Sequence, residues 1–112
     1  MKNFLFLYRS EPNKNQPSPE EMQANMKRWM DWVGALAAQD KLVDRGSSLQ
    51  AAGKVVKQNT IVTDGPYTEL KEVIAGYSMV KAASIEEATA LAQGCPIFNS
   101  GGNVEVREIN MM

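Results

Sequence analysis

One stretch, Asp64-Gly65-Pro66-Tyr67-Thr68-Glu69-Leu70-Lys71-Glu72, holds the densest set of ionisable groups in the chain. Aspartate before Gly-Pro is a turn former: its carboxylate bonds nearby backbone while glycine and proline fix the angles. The same carboxylate at the mouth of a cleft is a candidate general acid or base. That role requires partial desolvation, to raise its pKa toward neutrality. Glu69 and Lys71 stand two apart, so an extended backbone sends both to one side, where a lysine–carboxylate pair would orient Asp64. Their plain alternative is a solvated charged turn. Arg107 alternates with Val104 and Val106. If the valines pack under helices, Arg107 and Glu105 reach the other face, where a covered arginine must pair or bind an anion. Arg9 closes the first apolar run and has the same two readings, with solvent exposure the plainer one. Tyr77 reads as a core aromatic with its hydroxyl bonded, on one face with Val73 and Ala75, or as a supporting group at the site.

Other chemistry is excluded by what is missing. The chain has no histidine, so imidazole is absent as base, acid or ligand. Cys95 is alone, which leaves no internal disulfide, fits a reducing compartment, and has no cationic neighbour to activate the thiol. No metal-ligand spacing, nucleotide loop or nucleophile motif occurs, and no cofactor is expected. A net charge of −1 without a basic run argues against nucleic-acid binding. The apolar run Phe4–Tyr8 is too short for a signal-peptide core, and nothing is long enough to span a bilayer. The expected location is cytoplasmic. With 112 residues, 44% hydrophobic and 22% charged, the chain has the size and composition of one domain, residues 1–112, around a small core.

These residues must be positioned by a short series of elements. Asn3–Arg9 predicts a strand that is apolar on both faces. Ser18 as N-cap, Pro19 at the first helical position and Glu21 completing a capping box predict a helix. Met22, Met26, Trp29, Val33 and Leu36 form its apolar face, with Trp32 on the flank and the helix fading near Gln39–Lys41. Met22, Met26 and Met30 suit core or dimer packing. A weak strand begins near Lys41, with a second piece around Leu49–Ala52. Lys54–Lys57 and Thr60–Thr63 read as a hairpin turning at Gln58-Asn59. Val73–Lys81 is a strand in which Gly76 marks a bulge or a close backbone approach. Ser84 and Glu87 cap a second helix whose apolar face is Ile85, Ala88, Leu91 and Ala92, ended by Gly94 and Pro96. A loop leads to a last strand, Asn103–Ile109.

The order is the βαββαβ of a ferredoxin-like α+β fold with a hairpin insertion. Both helices cover one face of an antiparallel sheet, and the apolar other face calls for a second copy. The expectation is a sheet-to-sheet homodimer, a dimeric α+β barrel.

Asp64–Glu72 resembles the signature of the DGPF-domain proteins in the YCII-related family, Asp-Gly-Pro-aromatic-x-Glu-x-Lys-Glu. Val62-Thr63 before it, Ala75-Gly76-Tyr77 after it, Ser84–Ala88 and Val104–Arg107 are similar to the family's flanking pattern. The resemblance implies a ferredoxin-like protomer in a dimeric barrel with an active-site cleft. The histidine of the histidine–aspartate pair that the resemblance implies for some YCII relatives has no counterpart here, and the aspartate maps onto Asp64. The expected function is small-molecule binding in a cleft between sheet and hairpin. Asp64 would be acid or base of a cofactor-independent reaction, Arg107 an anion anchor, and Glu69, Lys71, Tyr77 and Arg9 supporting ligand-binding groups. The alternative is a non-enzymatic interaction or regulatory module, linked through some relatives to alternative sigma factors.

Overall fold

The structure, a computed structural model, describes residues 1–11, 17–58, 62–65 and 73–111. In chain order the elements are β1 (Lys2–Ser10), α1 (Pro19–Ala38), β2 (Leu42–Ser48), β3 (Gly53–Val56), β4 (Val62–Gly65), β5 (Val73–Ala82), α2 (Ile85–Ala92), a 3₁₀ turn (Pro96–Ser100) and β6 (Asn103–Glu108). Four strands form one sheet in the order β2-β5-β1-β6, and β3 with β4 forms a separate hairpin. Every ladder is antiparallel. The result is an α+β protein compatible with the ferredoxin-like pattern, because β5 enters between β1 and β2.

The period of two along β1 sets the layers. Phe4, Phe6 and Tyr8 are buried, while Leu5, Leu7 and Arg9 on the opposite face are half-buried. The buried side meets Leu36 of α1, Val80 and Ala82 of β5, Ala88 and Ala92 of α2, and Cys95 and Ile97 at the 3₁₀ turn. The least dimension, 18 Å, fits one layer of helices, about 10 Å across, on one sheet.

Both helices begin as their capping residues dictate. The Oγ of Ser18 accepts the Glu21 N–H at 3.2 Å, and that of Ser84 accepts the Glu87 N–H at 3.2 Å. The carboxylate of Glu87 also accepts from the Ala83 N–H and pairs with Lys41 at 2.9 Å, tying the start of α2 to the entry of β2. The end of α1 closes on Asp40 at φ 57°, with the Lys41 N–H donating to the Leu36 carbonyl at 2.9 Å.

Several expectations need correcting. Met22, Met26 and Met30 of α1 are exposed, so they do not serve the core. The core meets α1 from Trp29 onward: the ring of Trp29 is edge-on to Tyr8 at 4.9 Å, and Trp32 stacks on Phe6 at 6.2 Å. Ile85, in the first turn of α2, is also exposed. Leu49–Ala52 is not a strand, and the stretch after Pro96 is a 3₁₀ turn rather than a loop. The hairpin exists, but its strands are Gly53–Val56 and Val62–Gly65. Asp64 and Gly65 therefore belong to the second strand, opposite Lys54 and Gly53. Gly94 matters for packing as much as for ending α2, since a Cβ there would press on the Trp32 ring at 3.3 Å.

Candidate functional site

The face of the sheet turned away from the helices holds most of the predicted site residues that are described. Register places Tyr77 beside Leu7 and Leu7 beside Glu105 in one cross-strand row, with Met79, Leu5 and Arg107 in the next. Directly paired residues share a face and lie about 5 Å apart. Leu5, Leu7, Tyr77 and Met79 are all half-buried, so one side of the protomer presents an apolar strip that its own helices do not cover.

At the β6 side of that strip the charges converge. Arg9 donates from Nε at 3.0 Å and lies with Nη2 at 2.9 Å from Oε1 of Glu105. Arg107 donates from Nη1 to Oε2 of the same carboxylate at 3.1 Å. The hydrogen bond from Arg107, then that from Arg9, holds the Glu105 carboxyl below the usual carboxylate range. Arg107 thus lies on the face that valine alternation predicts, with the predicted partner. Arg9 is paired with Glu105 and only 27% exposed at its side chain, not free in solvent. Two guanidiniums and one carboxylate leave one positive charge in this cluster.

Tyr77 is not the core aromatic that its spacing suggests. Its neighbours Gly76 and Ser78 take the buried side of β5, which turns Tyr77 to the open face with Ala75 and Met79. The core tyrosine with a bonded hydroxyl is Tyr8. It donates to Ser78 Oγ at 2.8 Å, and Ser78 donates onward to the Arg45 carbonyl at 2.7 Å. Burial is the main reason the Tyr8 hydroxyl is pushed well above its ordinary pKa. Only the presence of a serine in an otherwise apolar strand hinted at this pair. Gly76 makes the expected close approach, since a Cβ there would come within 2.8 Å of the Ser47 carbonyl oxygen.

A recess of about 190 Å³ joins this face to the hairpin. Gly53 and Lys54 line it from β3, and Val73 and Ile74 from the start of β5. Gly53 and Lys54 are the register partners of Gly65 and Asp64, while Ile74 is that of Arg9. Backbone pairing thus leads from Asp64 to the recess and from the recess to Arg9. For Asp64 the description is of the backbone in β4, and Glu69 and Lys71 lie outside the described residues. Among the described residues no cluster of histidine, cysteine, aspartate or glutamate could hold a metal. Burial pushes the Cys95 thiol up to about 11, which makes it a poor nucleophile. Among the described residues no helix is long and apolar enough to cross a membrane.

Residues 2–112 match the family model described as the YCII-related domain. A stretch of 51 residues is 41% identical to an uncharacterised protein of Rhizobium meliloti (strain 1021), covering 45% of this chain and 41% of that protein. The aligned stretch therefore spans less than half of the relative.

Proposed function

The chain belongs to the YCII-related family, and on that premise we propose that it forms a homodimer whose two sheets close over a small-molecule cleft. In this reading Asp64 is the acid or base of a cofactor-independent reaction, and the protein works in the cytoplasm. The observation that carries it is the Arg9–Glu105–Arg107 cluster beside an apolar strip on a face that the protomer leaves open. A second sheet set over this one would shield that strip from bulk water. It would also enclose the cluster, and enclosed charges need a partner or a ligand. The recess beside Ile74 gives such a cleft a route toward the hairpin that carries Asp64. The Asp-Gly-Pro signature supports the same assignment of the aspartate.

The test joins light scattering on the parent with Asp64→Asn. The expected result is a dimer, and a variant that folds as the parent does but loses ligand or turnover. A monomeric parent would contradict the dimer, and a variant that merely unfolds while the parent retains no ligand reduces Asp64 to a turn former. The interaction-module reading draws support from the exposed Met22, Met26 and Met30, spaced four apart along α1. Capture of a defined protein partner that is lost on Met26→Glu would favour it.

A further inference from the structure

The charges at the β6 side of the open face point to the class of molecule that the cleft receives. Among the described residues this face carries Arg9, Arg107 and Lys81 against Glu105 and Asp44, the last being the register partner of Met79. Lys81 has Asp40 at 3.5 Å, and Asp44 of β2 turns its Oδ1 onto the Gly46 N–H at 2.8 Å. Asp44 stands on β2, at the opposite edge of the sheet from β6, so the two arginines around Glu105 remain a locally positive cluster.

They are not equally engaged. Arg9 presents its Nε–Nη2 edge to Glu105 and is 27% exposed at its side chain. Arg107 reaches Glu105 through Nη1 alone and is 69% exposed. A guanidinium is a planar fork that matches a carboxylate through two parallel N–H bonds, and the Nε–Nη2 edge of Arg107 makes no such bond among the described residues. Arg107 has Leu5 as its register partner, and Leu7, Tyr77 and Met79 continue the strip from there. A charged fork beside an apolar strip one or two side chains wide fits a small acid with an apolar body. It does not fit a polyanion, which would need more positive charge and less hydrocarbon.

We propose that the cleft binds a small monocarboxylate with an aromatic or branched aliphatic body, its carboxylate on Arg107 and its body across Leu5, Leu7 and Tyr77. This rests on the cleft reading above and narrows it. Glu105 then works as a positioning residue. It fixes both guanidiniums, and it cancels one of their charges so that a single anion completes the set.

The probes are benzoate and its uncharged counterpart benzamide, added to the intact protein at constant ionic strength. Binding is followed by NMR at the methyl groups of Leu5, Leu7 and Met79, with light scattering alongside. Benzoate should bind at least about tenfold more tightly than benzamide, a preference expected of a charge-assisted bidentate pair. Arg107→Gln should abolish the preference and leave the dimer mass unchanged. Equal binding of the two probes to a dimer would overturn the anion inference and leave the cleft standing. So would a preference that survives Arg107→Gln. An Arg107→Gln variant that falls to a monomer would show the arginine pairing across the dimer interface, which also overturns it. A monomeric parent with neither probe bound would sink the cleft reading itself, and this inference with it.

Discussion

Gly46 stands against the carbonyl of Tyr77 with φ 72°, so close that a Cβ would overlap the oxygen. This contact lets the irregular β2 follow β5 while Tyr77 keeps its place on the open face. Gly46→Ala meets two penalties at once, a left-handed backbone and a collision with main chain that cannot swing aside. The variant should lose at least about 2 kcal/mol of stability in urea unfolding, because left-handed strain and overpacking each cost about 1–2 kcal/mol or more. Unchanged stability would mean that β2 does not lie as closely on β5 as described.

The hydrogen-bonded pair beneath the sheet makes an alkaline prediction. Tyr8 keeps its proton in the folded chain beyond the point, near 10, at which an unfolded tyrosine loses it. The unfolded state therefore binds fewer protons above that point, and stability falls as pH rises from about 10. Cys95, pushed up to about 11, adds to the same trend from the lower onset of an ordinary thiol. Ser78→Ala strands the Tyr8 hydroxyl and should cost about 1–3 kcal/mol, whereas Tyr8→Phe should cost about 0.5–1.5 kcal/mol, since Ser78 still donates to the Arg45 carbonyl. Unfolding at a series of pH values, with iodoacetamide labelling of Cys95 in the native and urea-unfolded states, checks both parts.

Helix ends were legible in the sequence because capping is local chemistry. Ser18, Pro19 and Glu21 carry their instruction within four residues, and Ser84 with Glu87 does the same. Strand order followed from the βαββαβ succession, and the face of Arg107 from simple alternation with valines. The failures share a cause: they depend on what a neighbouring strand does. Tyr77 changes sides relative to Val73 because the β1–β5 register shifts between Tyr8 and Arg9. Met22 and Met26 have the right helical spacing, yet core contact starts only at Trp29, and periodicity cannot report how far a helix extends past its support. The convergence of Arg9 and Arg107 on Glu105 joins residues 96 positions apart and was visible only in part, through the Glu105–Arg107 spacing.

The left-handed residue that ends α1 is not a glycine. Asp40 sits at φ 57°, and its carboxylate, 92% exposed at the side chain, lies 3.5 Å from Lys81. So exposed an ion pair contributes little. Asp40→Gly removes the Cβ penalty and keeps both closing backbone bonds, so it should raise stability by about 0.5–1 kcal/mol. Thermal unfolding at neutral pH measures this. A drop would show that the Lys81 pair outweighs the backbone strain.

Glu105 gives the open face an acid sensitivity of known sign. Its folded pKa is depressed, by Arg107 first and then Arg9, so its stabilising contribution is present above the unfolded value, near 4.3, and is lost as pH falls through the folded value. Glu105→Gln leaves two arginines without their shared anion. At neutral pH the variant should be less stable by about 0.5–1 kcal/mol, a figure discounted for partial exposure. The gap from the parent should close as the pH is lowered below the folded value. A gap that stays constant across that range would mean that charge is not its origin.

Phe6 and Leu7 are adjacent in β1 and separate the two kinds of packing. Phe6 is fully buried under the helices, and Leu7 lies half-buried in the middle of the open strip. Phe6→Ala opens a cavity in the protomer core and should cost about 3–5 kcal/mol, whatever the oligomeric state. Leu7→Arg adds a further cation beside Arg9 and Arg107, and it places that charge where a second sheet would have to pack. Its circular dichroism should match the parent, while the mass by light scattering should fall to half. A Leu7→Arg chain that still dimerises would place the interface elsewhere. The half-buried leucines, Tyr77 and Met79 would then belong to a solvent-facing groove, and the arginines beside them would be open to ligand without any second copy.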